Sequence, residues 1–215
     1  MKKIAICGAG IAGIATAYYL SQFIPKANIA LIDKNEPLSF TSSQSGENFR
    51  DYWTHPCMEK LCNHSIDLME SLQKELDEPG FTMKFSGYHF VSNHQHQAIF
   101  ADDNTLEFRN RNKVETDAHV IHQQHPYLSP SIQKSIFIKK AGYVDSMVMV
   151  NAMLQKAKNN KLQLIEDEVV NIIHTNTGII IKLAKNKTIA VDQIIIATGP
   201  FINCLLYTSP SPRDS

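Results

Sequence analysis

The sequence predicts an α/β fold, a parallel sheet flanked by helices and interrupted by an antiparallel α+β insertion. Three observations carry that prediction. An apolar strand at Ile4–Cys7 runs into Gly8-Ala9-Gly10-Ile11-Ala12-Gly13, then an apolar helix, then a second apolar strand ending at Asp33. From Phe81 the texture changes to the alternation expected of half-buried antiparallel strands. From Gly142 helical and strand patterns alternate again and end in Gln193-Ile-Ile-Ile-Ala-Thr-Gly199. The expected organisation is residues 1–80 as the first part of a nucleotide-binding domain, 81–141 as an inserted substrate domain and 142–203 as the second part of the first.

The first element is a dinucleotide-binding, Rossmann-like βαβ unit. Gly8 permits the tight turn, Gly10 lets the backbone approach a diphosphate, and Gly13 lets the helix pack closely on the strand. The free N–H groups at the helix start then face phosphate oxygens. Asp33 follows Gly13 by twenty residues, where a carboxylate can accept hydrogen bonds from a ribose. Ala17 and Leu20 continue the apolar face of the helix, and Asn28 to Ile32 read as a buried strand.

Met58 to Asp77 reads as an amphipathic helix with Leu61, Ile66, Leu68, Met69, Leu72 and Leu76 near one face, stopped at Pro79-Gly80. Phe81 to Ser92 alternates and predicts antiparallel strands, and a polar helix is expected over much of Asp102 to Asn112. Short strands are expected near Ala118–Ile121 and Ile136–Lys139. Ser146 can cap a helix from Met147 to about Asn159. A strand follows at Leu162–Ile165, and Val169–Thr175 with Ile179–Leu183 form a hairpin closed near Asn176-Thr177-Gly178. The last strand opens into Ala197-Thr198-Gly199, where small residues let the backbone come close to a ligand. Cys204 to Asp214 reads, residue for residue, as one frame of a transposase sequencing adapter. Residues 204–215 are therefore expected to be an artefact, with the fold truncated at its C-terminus.

Composition excludes several functional classes. The chain is 43% hydrophobic and 20% charged, and 21 basic side chains balance 21 acidic ones, so nothing favours nucleic acid or an anionic membrane surface as a partner. The apolar runs are too short for a membrane span, and a glycine motif inside the first of them is unlike a signal peptide, so a cytoplasmic location is expected. Cys7, Cys57 and Cys62 are too few for a disulfide scaffold. His94 with His96, and His119, His122 and His125 at three-residue spacing, are the histidine groupings that could suggest a metal site, the latter three near a strand end and a proline turn. They are read as solvated histidines, and no metal is expected.

A nucleotide-binding unit, an antiparallel detour and a return to α/β argue for FAD rather than NAD, whose domain would continue its alternation without the detour. Here the chain resembles the D-amino-acid oxidase and sarcosine oxidase superfamily of FAD-dependent oxidoreductases. The likeness rests on Gly8 to Gly13 with Asp33, on Thr41-Ser-Ser-Gln-Ser-Gly-Glu-Asn-Phe-Arg50, on His125-Pro-Tyr-Leu128, on Gly142-Tyr-Val-Asp145 and on Ile194 to Pro200. One departure is Ser146, which stands where the family usually has proline. The resemblance implies FAD contacts from Gly8, Gly10, Ile11, Ala12 and Gly13 at the diphosphate, Asp33 at the ribose and Lys34 at the adenine edge. It places Ser42, Ser43, Ser45 and Gly46 along the diphosphate and ribityl chain, Val170 at adenine through its backbone, and Ala197, Thr198 and Gly199 beside the cofactor.

The resemblance also implies the chemistry. An amine, typically an amino acid or N-methyl amino acid, would lose hydride to flavin N5, and oxygen or an electron-transfer partner would then take the electrons. The family's substrate-gripping residues fall in its C-terminal part, so no catalytic residue is assigned here and the chain alone is expected to be inactive. Arg50, Tyr88 and His89 are the residues closest to pocket-lining candidates. Two alternatives stay open: an FAD-dependent alcohol dehydrogenase of the glycerol-3-phosphate type, and a dinucleotide-binding protein without catalysis.

Overall fold

The structure, a computed structural model, describes residues 1–202. In chain order the elements are β1 (Lys3–Cys7), α1 (Ile11–Phe23), β2 (Asn28–Asp33), β3 (Asn48–Arg50), α2 (Pro56–Leu76), β4 (Tyr88–Ser92), α3 (Leu106–Arg111), β5 (Lys113–Glu115) and α4 (Ala118–Gln124). They continue with β6 (Lys134–Ile138), β7 (Ala141–Tyr143), α5 (Ser146–Asn159), β8 (Gln163–Glu166), β9 (Val169–Thr175), β10 (Gly178–Leu183), β11 (Thr188–Val191) and β12 (Gln193–Ile196). The elements fall into two units, one made of Met1–Ser45 with the residues from Ser146 onward, the other of Gly46–Asp145. The suspected adapter segment lies outside the described residues.

The first unit is the expected parallel α/β domain. Its four strands run in the order β12-β1-β2-β8, all parallel, with Ile4 to Cys7 opposite Ile29 to Ile32 on one side and Gln193 to Ile196 on the other. A strand covered on both faces must be apolar throughout, and Ile4, Ala5, Ile6 and Cys7 are all buried. On one face an antiparallel sheet of order β11-β10-β9 closes over the parallel one, so that Ile181, Leu183 and Val191 pack with Ala5, Ala30 and Ile32. Helix α1 buries Gly13, Ile14, Ala17 and Tyr18 and packs with α5. The β9–β10 hairpin turns where expected, with Gly178 at φ +149°. Strand β11 escaped the sequence reading because Ala184-Lys-Asn-Lys-Thr188 masks a strand of only four residues.

The second unit is built on an antiparallel sheet of order β4-β6-β5 and a two-stranded β3–β7 pair. Tyr52, Phe108, Ile136, Ile138 and Ala141 form its core. Beside them Lys134 and Asp103 form a 3.0 Å ion pair at 1% and 0% exposure, and the Asp103 carboxylate also accepts the Ile99 and Phe100 amides.

Three expectations change here. Ala118–Ile121 is helical in α4, because the Asp117 carboxylate accepts the His119 and Val120 amides and caps a helix start that outweighs the local β-branched residues. Phe81 to Gly87 makes only a bridge, Lys84 to Tyr143, before β4 begins. A Cβ at Gly142 would lie 1.8 Å from the Lys84 carbonyl oxygen, so this crossing depends on glycine. Finally, α2 buries Ile66, Leu72 and Leu76 but leaves Leu61 and Leu68 exposed. At 3.6 residues per turn those two leucines stand about 140° and 160° around the helix from Ile66, a separation the apolar count alone conceals.

Candidate functional site

The first unit carries a cleft of about 950 Å³ at the carboxyl ends of its parallel strands. Its floor is the glycine turn. Gly8 sits at φ +105°, and a Cβ there would lie 2.4 Å from the Ala197 carbonyl oxygen, so a side chain would separate β1 from the chain leaving β12. The Gly8 amide donates to the Ile32 carbonyl at 2.8 Å and the Ala197 amide to the Cys7 carbonyl at 2.7 Å, which clamps the turn from both sides. A Cβ on Gly13 would lie 1.8 Å from the Gly8 carbonyl oxygen, so α1 starts directly against the turn. Gly10, the residue before α1, offers no side-chain cap, and no acidic residue occupies the first turn. The positive end of the helix dipole therefore faces the cleft with no negative side chain in the first turn to compensate it.

Side chains complete the lining. The Asp33 carboxylate is held by the Ala9 amide at 2.7 Å on one oxygen and by the Asn35 amide at 3.0 Å on the other, which leaves each oxygen a lone pair for a further donor. Ser42 Oγ accepts the Ile11 amide at 3.0 Å. Lys34 Nζ pairs with Glu168 at 2.9 Å and stands 5.9 Å from the Phe201 ring centroid, while Phe40 and Phe201 have centroids 5.1 Å apart. Buried Asp167 accepts the Glu168 amide at 2.8 Å and donates its own amide to the Asp33 carbonyl at 2.9 Å, tying the β8 end to the β2 end. Burial pushes the Cys7 thiol up to about 12, so it stays neutral and unreactive beneath the cleft. Thr198 Oγ1 is buried and has no hydrogen-bond partner among the described residues.

Of the residues expected at a cofactor, Gly8, Gly10, Ile11, Ala12, Asp33, Lys34, Ser42, Ser45, Val170, Ala197, Thr198 and Gly199 all line this cleft. Gly13 lies behind it, Ser43 Oγ donates instead to the Phe40 carbonyl at 2.7 Å, and Gly46 opens the second unit. Sequence reasoning did not name Leu38, Phe40, Asp167, Glu168 or Phe201, which also line it. Their only local signal was proximity to Val170 and to the serine segment.

Arg50, Tyr88 and His89 belong to the second unit. Arg50 donates to the Tyr52 carbonyl at 3.1 Å and stacks 4.2 Å from the Trp53 ring centroid. Tyr88 packs edge-on against Phe90. His89 Nε2 lies 2.7 Å from Ser135 Oγ, with its ring 4.3 Å from that of His125. Burial, then the nearby His125 and Lys113, holds His89 below the usual histidine range.

A family model described as FAD dependent oxidoreductase, DAO, matches residues 3–213. The chain belongs to the DAO family of FAD-dependent oxidoreductases. Several solved structures share its fold. L-proline dehydrogenase from P. horikoshii matches with a TM-score of 0.80 at 21% identity, covering 96% of this chain and 55% of that one. Glycine oxidase from Geobacillus kaustophilus matches at 0.79 and 20%, covering 97% and 58%. Iminodiacetate oxidase from Chelativorans sp. BNC1 matches at 0.73 and 19%, covering 95% and 57%. The chain thus spans little more than half the length of these structures. Protoporphyrinogen oxidase of Schizosaccharomyces pombe is 57% identical over 36 residues, 17% of this chain and 7% of that protein.

The residues present fit the family's cofactor. The cleft has the volume for a dinucleotide, its helix start without an acidic residue suits a diphosphate, and Asp33 has acceptor capacity for a ribose. Among the described residues no helix is long and apolar enough to cross a membrane.

Proposed function

We propose that the first unit holds FAD across the carboxyl end of β1 and that the protein oxidises an amine, either an amino acid or an N-methyl amino acid. The observation that carries the cofactor site is the joint presence of a helix start with no acidic residue in its first turn, its first amide met only by the Ser42 hydroxyl, and a pinned, still accepting carboxylate at Asp33 in one open cleft. The first-turn amides of α1 would hold the diphosphate, with Ser42 and Ser45 beside it. Asp33 would take the adenosine ribose hydroxyls. Lys34 is tied to Glu168, so the pair would border the adenosine end rather than neutralise phosphate. Bound there, FAD supplies a hydride acceptor for the substrate carbon.

The substrate class is supported by the family and by the company the fold keeps, since proline, glycine and iminodiacetate each carry an amine nitrogen next to a carboxylate-bearing carbon. The final electron acceptor is proposed to be oxygen or an electron-transfer protein. Full-length protein, carrying the C-terminal part in which the family places its substrate-gripping residues, should show flavin absorbance that bleaches anaerobically with amino acids or N-methyl amino acids but not with glycerol 3-phosphate. Bleaching by the polyol phosphate alone would overturn the amine assignment. Failure to take up FAD would overturn the cofactor site itself.

A further inference from the structure

The second unit brings two histidines together where no carboxylate meets them. In its antiparallel sheet His89 of β4 and Lys113 of β5 both stand opposite Phe137 of β6, and Glu115 stands opposite Ser135, so these side chains share one face. Helix α4 packs on β5 and β6, and its terminal cap residue, His125, reaches the same face. The His89 and His125 rings meet edge to face with centroids 4.3 Å apart, and the Phe137 ring centroid lies 5.5 Å from that of His89. Neither histidine lines the cofactor cleft.

Each ring has one nitrogen beside a hydroxyl: His89 Nε2 lies 2.7 Å from Ser135 Oγ, and His125 Nδ1 lies 3.3 Å from Tyr127 Oη. A hydroxyl can donate or accept, so both contacts survive protonation of the ring. The contact between the rings does not. Two neutral imidazoles pack as aromatics, whereas two imidazoliums at that spacing repel, and Lys113 adds a third cation. The surrounding anions are already committed. Glu115 accepts the Thr116 and Asp117 amides, and the Asp117 carboxylate is held by the first amides of α4. On β6 the charged residue, Lys134, is paired with Asp103, and the other titratable groups of α4 are two further histidines, His119 and His122. Burial, followed by His125 and Lys113, accordingly holds His89 below the usual histidine range.

His125 is also where two backbone features join. Its amide donates to the Ile121 carbonyl at 2.8 Å, closing α4, and its carbonyl accepts the Leu128 amide at 3.0 Å, forming the next turn. A displaced ring therefore disturbs the helix end and the turn together. Little else holds them down: Ile121 is the buried residue of α4, Lys113 Nζ donates to Gln124 Oε1 at 2.6 Å, and Tyr127 is exposed. A short segment with so few buried contacts opens locally before the unit as a whole unfolds. We propose that the His89–His125 pair is an acid-sensitive latch, which holds the end of α4 and the turn at residues 125–128 on the sheet while the rings are neutral and releases them when both are protonated. The latch goes beyond the cofactor and substrate reading and requires no FAD.

Hydrogen exchange read by mass spectrometry on the peptide spanning residues 118–128 tests the latch at about pH 7 and about pH 5, with rates corrected for the intrinsic pH dependence of exchange. In the wild-type chain this peptide should lose protection about tenfold on acidification, while peptides of α2 stay within about threefold. His89→Gln and His125→Gln each leave a single titrating ring and should confine the loss to about threefold, and either variant alone carries the comparison if the other fails to fold. Histidine NMR supplies a second reading. In His125→Gln the titration midpoint of His89 should rise by about 0.5 pH or more, because a neighbouring charge is gone. A wild-type peptide that stays protected at the lower pH overturns the latch, as does an equal loss in the variants or a loss shared by the whole second unit. An unmoved His89 midpoint overturns the coupling on which the latch depends. FAD uptake enters none of these readings, so the cofactor site stands or falls separately.

Discussion

Replacing Gly13 by alanine tests how α1 is placed. The added methyl would sit 1.8 Å from the Gly8 carbonyl oxygen and 3.0 Å from its carbon, with the Leu31 Cδ1 at 3.5 Å. The first two are backbone atoms of the turn that Ile32 and Ala197 clamp, so no side chain can rotate out of the way. Ordinary contact requires roughly 3.4 Å or more, so the helix must withdraw from β1 by about 1.5 Å. Alanine's better helix propensity returns about 1 kcal/mol, but overpacking against rigid backbone costs more than the usual ~1–3 kcal/mol. A net loss of about 2 kcal/mol lowers the melting temperature by about 4–8 °C in a chain of this size. Gly10→Ala provides the contrast. Its methyl would meet only the Ser42 Oγ, at 3.1 Å, and Gly10 already has φ −77°, which alanine adopts freely. Ser42 can rotate aside, so Gly10→Ala should melt within about 2 °C of wild type yet bind FAD about tenfold more weakly, as the methyl stands where the diphosphate approaches. Thermal unfolding followed by circular dichroism, with FAD titration alongside, separates the two. A Gly13→Ala protein as stable as wild type would refute the close seating of α1 on the glycine turn.

Other outcomes follow from burial and charge. Lys134→Met leaves the buried Asp103 carboxyl without its cation in the core of the second unit, and should cost about 3–5 kcal/mol by denaturant unfolding. The Cys7 thiol is raised by burial, from 9.0 to about 12, so the folded state holds its proton more tightly than the unfolded state does. The resulting stability is complete below pH 9.0 and is lost as pH rises toward about 12, a slope that Cys7→Ala should reduce in alkaline melts. At neutral pH a maleimide should label exposed Cys57 in the native protein and reach Cys7 only after unfolding. His89 has the opposite sign. Its folded value lies below 6.5, so its contribution is present above that pH and fades as pH falls through the lowered value. His89→Gln should flatten the drop in melting temperature between about pH 7 and about pH 5.

Where local chemistry decides conformation, the residues could be read directly. Gly8, Gly10 and Gly13 with Asp33 twenty positions on specify a strand, a tight turn and a helix start, because the positive φ at Gly8 and the contact of Gly13 with the Gly8 carbonyl are set within the turn itself, while the Ala197 oxygen that also excludes a side chain at Gly8 arrives only on folding. The β9–β10 hairpin was legible for the same reason, its turn residues lying between two apolar runs. The apolar residues of α2 were visible but their angular distribution was misjudged, and Leu61 and Leu68 point away from the buried side. In α4 a single capping carboxylate on Asp117 outweighed a pattern that suggested a strand.

The chain's own order of residues thus established a dinucleotide fold with an antiparallel interruption and named about half of the residues that line the cleft. Folding alone brought Glu168 to Lys34 across a sequence separation of 134, set Phe40 against Phe201, and sealed Thr198 Oγ1 from water without a partner among the described residues. The difference is physical. Turn geometry and periodicity are encoded by neighbours, whereas which carboxylate meets which ammonium, and which hydroxyl loses its water, depends on strand order and sheet register that place remote segments side by side.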